Sequence, residues 1–340
     1  MSKERYQIGI VVTWFGKLPS YFYAWLKSAE YNKTVDFIIF SDQEIISDRN
    51  NIFVYKTTMQ DELNKYRKKI RYPIHITNSY KFCDCRLFFG IFYEELLRGY
   101  HFWGYCDIDL VFGNLREFLT DEILEKYERI YPYGHLSLYR NNKKMNHIYE
   151  LPGSIYSMKE IFEKPAKTTV EEMFGVNRIC KINNIKWYKE IDFADFISYL
   201  PKRLNMAHSR VNSIHQIFVW DKGDAFRVYF SDKNKIEKEK LVYLHWQKKE
   251  PKLETNIEDF RDKQSFIICA EKIITSINEK ITIKDMDEMN PPVNKRRIKV
   301  ALIRKYFSRL KSFILADINV KKIWLRQICF RFIEKSGFYL

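Results

Sequence analysis

The spacing of apolar positions along this chain switches between the unbroken runs of buried strands and the stripes of amphipathic helices. Residues 7–13 read as a buried first strand, ending in Trp14-Phe15-Gly16-Lys17. Residues 21–30 follow as a helix, 35–40 as a second strand ending at Ser41-Asp42, and 52–55 as a short third strand. A charged helix is expected over 61–70. A long one is expected over 80–98, with Leu87, Phe88, Ile91, Phe92 and Leu96 on its core-facing stripe and Gly99 at its end. An aromatic run over 102–113 then carries Asp107 and Asp109. Strands alternating with helices argue for a parallel-rich α/β sheet, in which ligands bind beyond the carboxyl ends of the strands. Trp14 to Lys17, Asp42 and the aspartate pair all fall at such ends.

Beyond Gly113 the pattern predicts a helix over 121–127 capped by Thr120, then a strand from Tyr133 into a polar turn at Arg140-Asn141. Residues 142–240 read as short helices and loops. Residues 241–245 form a strand ending in Trp246-Gln247-Lys248-Lys249. The expected division is a domain over 1–250, a polar connection over 251–294 with a boundary near Pro291-Pro292, and a tail over 295–340.

The aspartate pair is the most informative feature. Burying a carboxylate beside Phe102-Trp103-Gly104-Tyr105 and Leu110-Val111-Phe112 costs several kcal/mol unless something compensates it. In an extended strand Asp107 and Asp109 point to one face, where they repel unless a positive charge joins them. Mg²⁺ or Mn²⁺ suits such a pair together with phosphate oxygens. The plainer alternative is a pair that caps a turn. Two enzyme classes use Asp-x-Asp. Haloacid-dehalogenase-type phosphatases carry it after the first strand, near the N-terminus. Nucleotide-sugar glycosyltransferases carry it after a nucleotide-binding domain has begun, which matches its place here.

Composition narrows the classes further. Hydrophobic residues at 46% and aromatics at 16% are ample for a packed core. The six cysteines lack Cys-x-x-Cys spacing and read as reduced. The apolar run near the N-terminus is too short for a signal segment, and no run reaches the length of a membrane span, so the expected setting is cytoplasmic. The formal charge of +15 is uneven: residues 295–340 hold thirteen Lys and Arg against only Asp317 and Glu334. There Ile298, Leu302, Tyr306, Leu310, Phe313 and Ile314 interleave with basic residues. That pattern suits an anionic membrane surface at the inner face of the cell membrane, or a helix folded on the domain with a solvated basic face. No nucleic-acid motif accompanies it, and no nucleic-acid partner is expected.

Longer blocks carry a resemblance. They are Phe15-Gly16-Lys17-Leu18-Pro19, Trp25-Leu26-Lys27-Ser28, Asp36-Phe37-Ile38-Ile39-Phe40-Ser41-Asp42 and Tyr80-Lys81-Phe82-Cys83-Asp84. The block from Gly99 to Asp109 and Gly134-His135-Leu136-Ser137-Leu138-Tyr139-Arg140-Asn141 complete the set. Over residues 5–250 the chain resembles a group of bacterial glycosyltransferase-like proteins linked to capsule and lipopolysaccharide biosynthesis. The resemblance implies a GT-A-like, Rossmann-like nucleotide-sugar-binding fold: a mixed sheet flanked by helices, here with a basic helical C-terminal tail. It implies a nucleotide-diphosphate sugar as donor and a polysaccharide or lipid-linked oligosaccharide as acceptor. Where the group tends to carry aromatic-Asp-Glu, this chain has Thr169-Val170-Glu171-Glu172-Met173-Phe174.

Roles then distribute as follows. Asp109 is the first choice for metal ligand, with Asp107 on the ribose or on the metal through water. His245 would complete the site with Mn²⁺ or Mg²⁺, or pack beside Trp246. Lys248 and Lys249 would face the leaving diphosphate or sit in a solvated turn. Trp14, Phe15 and Gly16 would approach the base, Asp42 the ribose or base, and Arg86 a phosphate. His135, Arg140 and Asn141 would line the sugar pocket. Glu171 and Glu172, with Asp192 and Asp195, are candidates for a catalytic base. The expected activity is metal-dependent glycosyl transfer. The alternatives are a catalytically silent scaffold on the same fold, held at a membrane, and the phosphatase.

Overall fold

Alternate residues of the first strand face opposite cores. Ile8, Ile10 and Val12 join one and Val11 the other; Val35, Phe37 and Ile39 are likewise split from Ile38 and Phe40. Burial on both faces is why these strands read as unbroken apolar runs. The computed structural model describes residues 5–70, 72–164, 167–208, 212–276 and 281–336, with 332–336 by backbone alone.

The strands in chain order begin with β1 (Ile8–Trp14), β2 (Val35–Ser41), β3 (Ile52–Lys56), β4 (Phe102–Cys106), β5 (Leu110–Phe112), β6 (Arg129–Tyr133), β7 (Leu136–Arg140) and β8 (Trp187–Tyr188). They continue as β9 (Ala194–Asp195), β10 (Gln216–Asp221), β11 (Asp224–Phe230), β12 (Ile236–Leu241), β13 (Tyr243–His245), β14 (Lys252–Leu253), β15 (Ser265–Ile268) and β16 (Lys272–Ile274). A seven-stranded sheet has the order β3-β2-β1-β4-β7-β6-β8. Its first four members are parallel and β7 runs antiparallel to β4. The helix Phe22–Tyr31 covers one face, and the helix Met59–Lys69 with the segment 81–92 covers the other. This is the expected mixed α/β sheet flanked by helices.

A three-stranded sheet, β5-β13-β9, joins the large sheet to a six-stranded one of order β12-β11-β10-β15-β16-β14. The hairpins of the latter fall where loops were expected. Their signal was Lys222-Gly223 between two apolar runs. Both residues have positive φ, of 49° and 97°, as a two-residue hairpin turn requires. Residues 251–294, expected as a polar connection, instead supply β14 to β16 and the helices Ile257–Asp262 and Ile283–Met289. Phe260, Phe266 and Ile268 are buried in the main core, so the packed body runs past residue 250.

Two further readings are corrected. The helix expected over 80–98 is a 3₁₀ segment, Lys81–Phe88, followed by one α turn, Phe89–Phe92. Three residues per turn eclipses i and i+3, which puts the Lys81 ammonium 2.7 Å from Asp84. The aspartate pair does not lie in a strand. β4 ends at Cys106, the pair occupies the link, and β5 begins at Leu110.

The tail divides into two helices. In Lys295–Leu315 no residue is buried. The helix Ile318–Ser336 is docked: Ile323 is buried, Arg326 pairs with Glu160 at 2.5 Å, and Gln327 donates to the Tyr156 hydroxyl at 2.7 Å. No described helix is long and apolar enough to cross a membrane.

The region past residue 250 should therefore carry stability. Phe266 is fully buried and stacks on Trp220 with ring centroids 4.9 Å apart. Phe266→Ala is expected to cost about 3–5 kcal/mol in a denaturant titration, the range for emptying a buried aromatic position. A cost below about 1 kcal/mol would mark the segment as an appendage.

Candidate functional site

Pairing of β5 with β13 sets Leu110 opposite His245. Asp109 and His245 thereby become neighbours although they are far apart in sequence. β13 also pairs in parallel with β9, which sets His245 beside Asp195. The imidazole stands between two carboxylates. Its Nδ1 is 2.8 Å from Asp195 Oδ1 and its Nε2 3.4 Å from Asp109 Oδ2. Burial disfavours charge on this ring, but the two carboxylates outweigh it and raise its pKa to about 10. Burial likewise opposes the Asp195 carboxylate, which hydrogen bonds from His208 and His245 nevertheless hold well below the usual range.

Ligand atoms of Asp107, Asp109 and His245 lie within 4.8 Å of one another, as do those of His135, Asp195 and His245. The Asp195 contact occupies Nδ1, leaving Nε2 on the Asp109 side. A second carboxylate orienting a ligand imidazole is the usual outer layer of a metal site. His135 adds a further sign. Its Nδ1 meets the Tyr243 hydroxyl at 3.0 Å, while its Nε2 is buried with no hydrogen-bond partner among the described residues. Burial, then His245, pushes the His135 ring down to about 3, so it is a neutral imidazole. The carboxylate donors fit Mn²⁺ or Mg²⁺, and an imidazole beside them favours a transition-metal ion such as Mn²⁺ over Mg²⁺.

Asp107 takes a different partner. Arg86, which stands over the Tyr105 ring, brings its Nη2 to 2.6 Å from Asp107 Oδ1 and donates from Nη1 to the Gly134 carbonyl at 3.2 Å. Burial works against both charges, yet the pairing wins: Asp107 stays below the ordinary carboxylate range and Arg86 moves further up. The 3₁₀ segment positions more than Arg86. Asp84 accepts from the backbone N–H of Thr168 at 2.9 Å and of Thr169 at 3.3 Å, drawing the Glu171-Glu172 loop over the site. Glu171 turns to Lys167, 3.3 Å away. Glu172 faces the cavity, its carboxyl pushed up to about 7 by burial and then by Glu171.

A cavity of about 600 Å³ lies beyond the carboxyl ends of β1 and β4, and neither Asp84 nor Glu171 is on its wall. Trp14, Phe15, Arg86, Asp107, Asp109, Glu172, His245 and Lys248 are on its wall, with His135, Asp195 and His208. Lys248 reaches it from a turn in which Gln247 and Lys248 have φ of 47° and 66°, a left-handed pair of the kind that clusters at functional sites. Lys249 points away and donates to the carbonyls of Ile197 and Leu200 at 3.0 and 2.8 Å. Gly16 and Asp42 stand apart from the wall: the Asp42 carboxylate accepts from the Gly16 N–H at 2.9 Å, as a turn cap does. Arg140 and Asn141 also lie elsewhere. Because β7 runs antiparallel to β4, its start at Leu136 meets Cys106 beside the cavity while Arg140 meets Phe102 at the far end. There Arg140 donates to the Glu125 and Tyr127 carbonyls, and Asn141 to those of Leu97 and Tyr100. Asp192 is not on the wall; it accepts from the Tyr188 hydroxyl at 3.2 Å. The sequence reading missed the support given by Asp195 and His208, since pairing across distant strands leaves no local signal.

Residues 10–277 match the model of a family of unknown function, DUF6625. The chain belongs to that family. The matched span holds every wall residue named above. No curated protein matches this family member by sequence. Among solved structures, the galactosyltransferase LgtC in complex with donor and acceptor sugar analogs is similar over 56% of this chain and 76% of that one, at 13% identity and a TM-score of 0.34. At that distance the function of this chain must be argued from its own site.

The two-carboxylate clamp has a measurable consequence. A ring whose pKa is raised on folding stabilises the fold fully below its unfolded value and loses that contribution as pH climbs toward about 10. In metal-free protein, ring ¹⁵N shifts of His245 are expected to be those of imidazolium at pH 7. Asp195→Asn should bring its titration down and cost about 1.5–3 kcal/mol at neutral pH, the scale of a hydrogen bond to a charged group. A neutral His245 ring at pH 7 in the unsubstituted protein would contradict the clamp.

Proposed function

We propose that this protein is a metal-dependent glycosyltransferase that takes a sugar from a nucleotide-diphosphate donor. The observation that carries the reading is Asp109 and His245 facing one cavity, with Asp195 behind the imidazole and basic side chains on the same wall. A divalent cation held there would neutralise the diphosphate as it departs. Asp109 and His245 Nε2 would hold the ion, and Asp195 would keep the ring in orientation. Asp107, fixed by Arg86, would meet the ribose, or the ion through water. Lys248 and Arg86 supply positive charge for phosphate oxygens. Trp14 and Phe15 give an aromatic wall for the base. Glu172, poised near neutrality, is the group best placed to accept a proton from an incoming hydroxyl. A cell-surface polysaccharide or a lipid-linked oligosaccharide would supply that hydroxyl.

A thermal-shift screen of nucleoside diphosphates with and without Mn²⁺ tests the donor, because a ligand that binds only the native state raises the melting temperature. Asp109→Asn is expected to abolish Mn²⁺-dependent nucleotide binding and transfer while leaving the fold intact. His245→Ala should weaken that binding about tenfold or more, as losses in metal sites do. Calorimetry that finds full nucleotide affinity in both variants would remove the metal assignment. Glu172→Gln should keep nucleotide binding and lose transfer. Transfer at the unsubstituted rate would free Glu172 of the role of base.

A further inference from the structure

The helix Lys295–Leu315 contains eight basic and no acidic residues. Ile298, Leu302, Lys305 and Phe313 are half-buried, with Lys305 over the Tyr199 ring at 4.6 Å and Phe313 stacked on Trp324 at 5.8 Å. These positions mark the side turned to the body. The opposite side carries Ile303, Phe307, Leu310 and Ile314, spaced as one helical stripe and exposed at 53, 67, 53 and 61%. Arg296, Lys299, Arg304 and Lys311 are exposed and, at 100° per residue, fall on the same half of the helix. An outward apolar stripe flanked by cations matches the headgroup boundary of an anionic bilayer, where the stripe inserts and the cations meet lipid phosphates.

We propose that this face of the helix docks on an anionic membrane surface. The charge distribution selects the occupant: the tail holds thirteen basic residues against two acids. The placement adds a consequence. Lys305 stands over the Tyr199 ring, the adjacent Ser198 donates its N–H to Gln247 Oε1 at 3.1 Å, and Gln247 is on the cavity wall. A docked bilayer would then lie beside the cavity; resting on the transfer reading, the acceptor would be one carried on membrane lipid.

Co-sedimentation of the full chain with phosphatidylglycerol–phosphatidylcholine vesicles tests the docking, with pure phosphatidylcholine vesicles as the comparison. Binding is expected to the anionic vesicles, to fall as salt rises, and to be at least about tenfold weaker on neutral ones, since each basic residue near the surface contributes about 1 kcal/mol. Replacing Ile303, Phe307, Leu310 and Ile314 together by serine should weaken it about tenfold or more while the melting temperature holds, because all four are exposed. Should that variant melt early, Lys299→Glu with Lys311→Glu gives the same test through charge. No binding of the unsubstituted chain to anionic vesicles, or equal binding by both variants, overturns the proposal. So does sedimentation showing that the stripe instead pairs two copies of the chain. Vesicle binding needs neither donor nor transfer, so failure here leaves the transfer reading standing, and the reverse also holds.

Discussion

Everything at this site depends on the three residues of β5. Its backbone is held from several directions. Phe112 donates its N–H to Ser28 Oγ at 3.0 Å, and the Trp220 indole donates to the Phe112 carbonyl at 2.9 Å. Gly113 donates to the Val242 carbonyl at 2.9 Å, and Asn32 donates to the Gly113 carbonyl at the same distance. A side chain at Gly113 would bring a Cβ within 2.4 Å of the Leu241 carbonyl oxygen, so only glycine allows this approach. The strand therefore has one register, and that register sets Leu110 against His245. A slip of one residue would turn every side chain over and part Asp109 from the imidazole.

Electrostatics follow from that geometry. The cavity gathers Asp107, Asp109, Asp195 and Glu172, a concentration of acid that an apolar fold tolerates only with compensation. Each acid is treated differently. Arg86 neutralises Asp107, the His245 ring pairs with Asp195, and Glu172 is raised toward protonation by burial. Asp109 is left sharing the His245 ring. It is therefore the carboxylate most open to an added cation, and the proton on His245 stands where that cation's charge would act. The difference between Asp107 and Asp109, two residues apart, is a difference of partner and not of residue type.

Legibility in the sequence tracked how local each cause was. The first three strands, the helix Phe22–Tyr31 and the Thr120 cap were readable because burial on two faces and capping chemistry act over a few residues. Asp109 and His245 were expected to share one site, but neither segment carries a local sign of the strand pairing that sets them side by side. Direction along a strand misled the placement of Arg140 and Asn141: they are close in sequence to His135 but lie at the other end of β7. The 3₁₀ segment was hidden because its apolar stripe also fits an α-helix. Buried Lys81, Asp84 and Arg86 each need a partner: Lys81 and Asp84 pair within the segment, while Asp84 also takes the Thr168 N–H and Arg86 takes Asp107 from outside it.

The basic helix obeys a different physics from the site. Site residues sit in a body where a lost contact leaves a buried charge unpaired, which costs several kcal/mol. The helix buries no residue, so its contacts with the body are few and opening it locally costs little. Most of a helix's stability in a protein comes from packing an amphipathic face, and an exposed apolar stripe gains nothing from water. Burying the stripe against another apolar phase would supply the missing stabilisation at roughly 25 cal/mol per Å². Its neighbour Ile318–Ser336 has already found that phase in the protein core through Ile323 and Trp324. One helix anchored by a buried residue and one resting on the body by half-buried residues alone thus follow from the same basic tail, with Phe313 stacked on Trp324 between them.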